Sequence, residues 1–247
     1  MFCSTQKGKK AGDEMKRSKQ MSESIELGIL LALSGGLMDA YSYIYRDHVF
    51  ANAQTGNILL FGIQLAEKNW TAALHYLFPI SAFVVGIALA DIVRMKTDEK
   101  NFHWRQICVL IEAFVLICVA FFPQSMNTVA NSLISFACGI QVESFRKIHG
   151  QGIATTMCIG NLRSATQNLC EYWSTKNRKA VEKGMLYYGI IICFVMGAVL
   201  GNACIRYLHG KAILVSAGLL AAAFLLMFVD KEKEEKEAAS HRKVYRK

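Results

Sequence analysis

The sequence predicts an all-α fold, a polytopic membrane helix bundle, and three features of its 247 residues support that prediction. Hydrophobic residues make up 53% of the chain, charged residues make up 19%, and there are 2 prolines. The apolar residues form long runs, and two Gly-Asn segments about a hundred positions apart resemble one another. Low charge combined with long apolar runs is typical of membrane helices and excludes an ordinary soluble enzyme.

Six apolar runs are predicted to be full membrane spans. A helix needs roughly 20 residues to cross about 30 Å of hydrocarbon, and each run is close to that length. Several runs are apolar on every face, which argues against the alternative of a soluble bundle with buried helices. The runs lie at 25–45, 72–93, 107–122, 129–145, 185–207 and 212–229.

The chain is predicted to contain an internal duplication. FANAQTGNILLFGIQLA at 50–66 corresponds to ATTMCIGNLRSATQNLC at 154–170, at a spacing of 104 residues. Further on, FVVGIALAD at 83–91 corresponds to FVMGAVLGN at 194–202, at a spacing of 111. The same order of landmarks in both parts indicates two related membrane repeats around a central site.

Four segments follow from this pattern. A basic N-terminal arm occupies 1–24, the two membrane repeats occupy 25–122 and 123–229, and a charged, mostly helical tail occupies 230–247. The arm and the tail account for much of the formal net charge of +9. Contact of the arm with anionic lipid explains that charge more simply than nucleic-acid binding, so no nucleic-acid partner is predicted.

The positions of Lys and Arg predict the topology. If neither Gly-Asn segment crosses the membrane, 17 of these residues lie on the cytoplasmic side before the tail and four lie outside. If both segments cross, the corresponding numbers are 11 and 9. Since cytoplasmic loops collect Lys and Arg, six spans with both termini in the cytoplasm are favoured. The alternative, in which one or both Gly-Asn segments are amphipathic full spans, stays open.

Three spans in each repeat would make the repeats inverted. The two Gly-Asn segments would then enter the membrane from opposite sides as half-helices. Irregular backbone at membrane depth is tolerated only where protein or a water-filled cavity satisfies its polar groups. The segments therefore point to a central binding site.

Two acidic residues within the apolar runs are candidate site residues. Asp39 follows Gly35 by four positions, so both lie on one helix face, and Glu143 follows Gly139 in the same way. A small residue lets another backbone approach beside the carboxylate. Acidic groups inside spans usually face the bundle interior and mark ion or proton pathways. Alternatively, each carboxylate lies near its helix end in headgroup water, and Glu112 is a weaker candidate without a counterpart.

The Gly-Asn segments supply the other candidate site residues. Thr and Asn side chains can cap the free N–H groups of a helix predicted to start at Ile58, and Gly permits a tight turn before it. Such a half-helix N-terminus can face an anion or a polarised solute. Alternatively, the two Asn side chains only clamp the halves together. These candidates are Thr55, Gly56, Asn57, Gly160, Asn161 and Arg163.

No catalytic or metal chemistry is predicted. The eight cysteines form no C-x-x-C pair, and most lie in apolar runs, where cysteine behaves as a small hydrophobe. The chain has no H-E-x-x-H, G-x-S-x-G, Walker or G-x-G-x-x-G motif. We therefore expect no enzyme activity, no metal and no cofactor.

At these positions the sequence resembles the YoaK-like bacterial integral membrane proteins. The resemblance is carried by GGLMDA at 35–40, VFANAQTGN at 49–57 and GNLR at 160–163, and it covers roughly 25–229. It implies a multi-pass protein of the bacterial inner membrane, from a family of largely unknown function. Ile159 departs from the pattern, because it stands where the second Thr of the family is expected.

The sequence thus favours a transporter or channel for a small solute or ion, with its site between the two repeats. Its predicted partners are the lipid bilayer and that solute. The alternative is a non-transporting membrane sensor or assembly partner that uses the arm and the tail for contacts.

Overall fold

The computed structural model describes residues 24–97, 104–147 and 151–244, with side chains described as far as residue 228. The predicted N-terminal arm therefore lies almost wholly outside the described residues. The described ranges contain eight α-helices and no β-strand, which confirms the all-α class. The helices are α1 Ile25–Tyr45, α2 Gln54–Ala66, α3 Trp70–Lys96, α4 Trp104–Val119, α5 Asn127–Ser144, α6 Cys158–Thr175, α7 Arg178–Leu208 and α8 Ile213–Val244.

Within the described residues, three helical stretches are long and apolar enough to cross a membrane. They are Ile25–Tyr45, Trp70–Lys96 and the run Arg178–Phe228, which joins α7 to α8 through a short 3-10 turn. By contrast, α4 has only 16 residues, and α5 has 18 residues with several polar side chains. The three stretches contain four of the six predicted spans, because the α7–α8 run includes 185–207 and all but the last residue of 212–229. Six separate crossings stay a prediction.

The long helices cross one another at glycines. α1 packs on α7, and α3 packs on α5. A Cβ atom on Gly36 or Gly197 would overlap a backbone carbonyl of the other helix, and the same holds for Gly86 and Gly139. In each case that carbonyl belongs to the residue three positions before the partner glycine. Only glycine allows such an approach, which brings the backbones into direct contact.

At the α1 crossing, the residue that permits the backbone approach is Gly36 and not Gly35. A Cβ on Gly35 would instead lie 2.7 Å from Cγ2 of Thr156, in the loop before α6. The prediction for Gly139 is confirmed, since the carbonyl of Phe83 in α3 lies against it. α1 thus presents to its partner helix the residue that follows the predicted one.

The principal core lies between α1, α4, α5 and α8. Fully buried side chains from these helices include Leu31, Leu116, Ile134 and Leu220. Polar contacts also cross this core, and one of them joins the hydroxyl groups of Ser34 and Ser216. The outer faces of α3 and α7 are apolar but exposed, as expected for surfaces that contact lipid.

Candidate functional site

A groove of about 650 Å³ lies between α1, α7 and the loop that leads into α2. Its walls are aromatic and aliphatic, and its polar side chains are Asp39 from α1 and Asn202 from α7. Asp39 lies six residues before the end of α1, which is roughly 9 Å along the helix axis. Ligand sites are typically apolar clefts with a few fixed polar groups, and this groove has that composition.

The loop before α2 holds the Asp39 carboxylate in place. Its Oδ1 atom accepts a hydrogen bond of 2.7 Å from the backbone N–H of Asn52. The Asn52 side chain in turn donates to the carbonyl oxygen of Gly35 at 3.1 Å. Among the described residues, Asp39 forms no ion pair with a Lys or Arg side chain. The groove therefore presents a half-buried carboxylate whose charge is not neutralised by a neighbouring base.

Asn57 fixes the same loop from the other side. Its Nδ2 donates to the carbonyl of Phe50 at 2.7 Å, and its Oδ1 accepts from the N–H of Phe50 at 3.0 Å. Asn161 makes the same two contacts with Ala154, at 2.6 and 3.3 Å. Both amides are buried. Each therefore closes a turn between positions seven apart within its own segment, and neither lines the groove.

The predicted capping arrangement at these segments is wrong. α2 begins at Gln54 and α6 at Cys158, and the residues that precede them provide no side-chain cap. Asn57 stands in the first turn of α2 and bonds backward to the extended chain, so it cannot cap a helix that starts after it. Gly56 is helical and makes room for the Phe50 ring, which would lie 2.7 Å from a Cβ there.

The loop before α6 reaches the same part of α1. The Gln141 side chain donates to the carbonyl of Leu31 at 3.0 Å and to the Thr155 hydroxyl at 3.2 Å. Next to it, Thr156 packs against Gly35. Two buried oxygens here, Oε1 of Gln141 and Oγ1 of Thr156, have no hydrogen-bond partner within the described ranges. Buried polar atoms are rarely left unpaired, so this junction keeps spare hydrogen-bonding capacity.

The structure does not bring the other predicted site residues to the groove. Glu143 pairs with Arg94 at 3.4 Å and with Arg146 at 3.3 Å. Thr55, Gly160 and Arg163 are exposed on the short helices α2 and α6. A role for these residues in binding stays a prediction.

Glu112 in α4 is fully buried, and neither of its carboxylate oxygens has a hydrogen-bond partner among the residues described. Holding an isolated carboxylate in such a place is costly. The residue is not part of the groove lining.

Arg46, which follows α1, is a fully buried residue that the sequence did not single out. Its guanidinium donates to the carbonyls of Val119, Phe122 and Pro123 at the end of α4, at 2.9 to 3.2 Å. It also donates to the hydroxyl of Tyr41 and to the amide oxygen of Asn127. The partial negative charge of the carbonyls at a helix C-terminus attracts a cation, which explains how this charge is buried without an ion pair among the described residues.

Tyr41 extends this cluster to a third connection. Its hydroxyl donates at 2.9 Å to the carbonyl of Gly210, in the turn between α7 and α8. Asn131 of α5 donates to the carbonyl of Arg46. The cluster therefore ties the α1–α2 loop, the α4–α5 connection and the α7–α8 turn into one unit beside the groove.

Comparison with known proteins gives two findings. A family model described as "Protein of unknown function (DUF1275)" matches residues 27–226. The chain is also 25% identical over 180 residues to the UPF0700 transmembrane protein YoaK of Bacillus subtilis (strain 168). The aligned region covers 69% of this chain and 79% of that protein. No solved structure matches. Because the family model spans most of the chain, from α1 into α8, this membrane protein belongs to the DUF1275 family.

Proposed function

We propose that this protein is a transporter or channel for a small solute or ion, with its site in the groove beside Asp39. The observation that carries the proposal is the half-buried carboxylate that faces the groove without a basic partner among the described residues. Acidic groups at membrane depth are costly and usually mark a solute or ion pathway. The proposal assigns no catalytic chemistry to the protein.

The proposed architecture is a pair of inverted repeats, and the pairing of the helices supports it. α1 of the first repeat packs on α7 of the second, and α3 packs on α5, so exchanging the repeats reproduces the pattern. The same exchange relates the contact of α4 with α5 to that of α8 with α1. The turn from Phe50 to Asn57 and the turn from Ala154 to Asn161 are separated by 104 positions at both ends. Such repeats commonly enclose a substrate site.

The proposed orientation has both termini in the cytoplasm of a bacterial inner membrane. The excess of Lys and Arg in the predicted inner loops supports it. In this orientation the groove lies toward the outer face, because Asp39 and Asn202 both stand in the last turns of helices that begin inside.

Site-directed labelling tests this orientation. Single cysteines at Lys68 and Lys179, both exposed, are introduced into a cysteine-free background and treated with an impermeant thiol reagent. We expect the cysteine at position 68 to label from outside and the cysteine at position 179 only after the membrane is opened. Labelling of both cysteines from the same side would contradict the inverted arrangement. That result is expected if both Gly-Asn segments cross the membrane, because eight spans place both loops in the cytoplasm.

Transport is tested with the full chain in proteoliposomes and a panel of labelled inorganic cations, amino acids and amines. We expect at least one solute to enter faster than into protein-free vesicles, and Asp39→Asn to slow that uptake at least about tenfold, because it removes the charge at the site. Glu26→Gln is the matched control, since Glu26 is exposed in the first turn of the same helix.

Two outcomes would overturn the proposal. Entry of no solute from the panel would favour the non-transporting sensor or assembly partner. Uptake that is equally fast with Asp39→Asn and Glu26→Gln would show that the groove is not on the transport path.

A further inference from the structure

The groove has one charge and an apolar wall. Its aromatic and aliphatic side chains include Tyr43, Phe50, Phe194, Ile44 and Val199. Among the described residues that line the groove, Asp39 is the one charged side chain. The Tyr43 and Phe50 rings are stacked, with their centroids 4.9 Å apart. The faces of aromatic rings attract cations, and a carboxylate with little access to water attracts them more strongly.

Other acids near the helix ends differ from Asp39 in a way that bears on the ligand. Asp91 and Glu143 both form ion pairs with Arg94, at the C-terminal ends of α3 and α5. In the proposed repeat register, Asp91 corresponds to Asn202 and Glu143 corresponds to Asp39. At the ends of α3 and α5, Arg94 thus neutralises both acids. At the corresponding place between α1 and α7, Asp39 forms no ion pair with an arginine among the described residues. That leaves the charge of Asp39 available to a ligand.

We propose that the groove binds a lipophilic organic monocation, such as an amine or quaternary onium ion with an apolar body. The ligand's positive centre lies against Asp39, and its apolar groups contact the aromatic and aliphatic walls. An anion is excluded because it would meet an unneutralised carboxylate at short range. A small inorganic cation would leave the apolar walls unused. That such a cation is transported rests on the proposed function, whereas its binding to the groove is measured independently of transport.

The probe is labelled tetraphenylphosphonium, and the comparison ligand is tetraphenylborate, which has the same shape and the opposite charge. Equilibrium binding is measured on the full chain in lipid nanodiscs, with protein-free nanodiscs as background. We expect saturable binding of tetraphenylphosphonium, at least tenfold tighter than any binding of tetraphenylborate. Asp39→Asn should weaken it at least tenfold, and Glu26→Gln should leave it within twofold.

A second variant keeps the test decisive if Asp39→Asn does not fold. Val199 lines the groove and is exposed, so Val199→Trp should fill the groove without disturbing the packing of α7 on α1. We expect it to weaken tetraphenylphosphonium binding at least tenfold, with the folded fraction confirmed by gel filtration. Leu208→Trp, at the exposed end of α7, is its control.

Equal binding of the two ions, insensitivity to Val199→Trp, or no saturable binding would each overturn the inference, because the groove would then be a surface for lipid chains. Failure here does not affect the uptake of other solutes in proteoliposomes. Conversely, tenfold tighter binding of the cation without uptake would uphold the cation site and overturn only transport.

Discussion

Replacing Arg46 by methionine is expected to lower the free energy of unfolding by more than about 3 kcal/mol. The methionine fills similar volume but leaves the carbonyl of Phe122 without its donor. The carbonyls of Val119 and Pro123 lose their charged donor and keep only a backbone N–H. Hydrogen bonds to a charged group contribute roughly 1.5 to 3 kcal/mol each, and a buried acceptor left unpaired carries its full desolvation cost. Thermal unfolding in detergent, followed by tryptophan fluorescence, measures the effect.

Two further variants identify the cause. Arg46→Lys keeps the charge but cannot present several donors in a plane, so we expect a loss between wild type and methionine. Arg206→Met removes an exposed arginine at the end of α7 and should change stability by less than about 0.5 kcal/mol. Equal stability of Arg46→Met and Arg206→Met would show that the buried cluster does not hold the connections together.

Gly197→Ala is expected to destabilise the protein by at least about 2 kcal/mol, although it adds a single methyl group. The new Cβ would overlap the carbonyl oxygen of Leu33, so α7 and α1 would have to separate. Overpacking of this kind typically costs about 1 to 3 kcal/mol, and here the obstacle is backbone that no rotamer change can relieve. The same unfolding measurement, together with the yield of monodisperse protein, reports the effect.

Gly189→Ala makes the same substitution two turns earlier in α7, where a Cβ would meet nothing within 4 Å. It should leave stability unchanged or raise it by up to about 1 kcal/mol, because alanine has the higher helix propensity. If both variants lost stability equally, helix propensity rather than the crossing would explain the glycines of α7.

The apolar helices were predictable because their signal is local. The run at 25–45 coincides with α1, for which Ser24 supplies the N-cap by accepting from the N–H of Leu27. The run at 129–145 is close to α5, which is Asn127–Ser144. Spacing also predicted a glycine contact at Gly139, since small residues on an apolar helix mark close packing.

The misplaced starts of α2 and α6 have a physical reason. An asparagine amide offers both a donor and an acceptor, and it can bond forward to helix N–H groups or backward to the preceding chain. The local sequence around Asn57 is compatible with both. The choice depends on where the loop to Phe50 runs, and α1 and Asn52 determine that path.

Arg46 is one of the four Lys and Arg residues that the sequence places outside the membrane. Its burial is not predictable, because its acceptors are mostly backbone carbonyls, which have no sequence signature. The different surroundings of Asp39 and Glu143 were hidden for a related reason. Glu143 pairs with Arg146 and also with Arg94, which is 49 positions away, and the sequence gives no sign of that distant contact. Of the predicted site, Asp39 is the residue that lines the groove.

The contact between α1 and α8 affects the order of assembly during synthesis. α1 is synthesised before α8, and the partner of Ser34 in α8 lies 182 residues later in the chain. At a synthesis rate of about 5 to 20 residues per second, α1 waits on the order of ten seconds or longer for that partner. Throughout that interval its glycine face and Ser34 must be covered by lipid or by the insertion machinery. α1 therefore cannot reach its final packing before α8 enters the bundle.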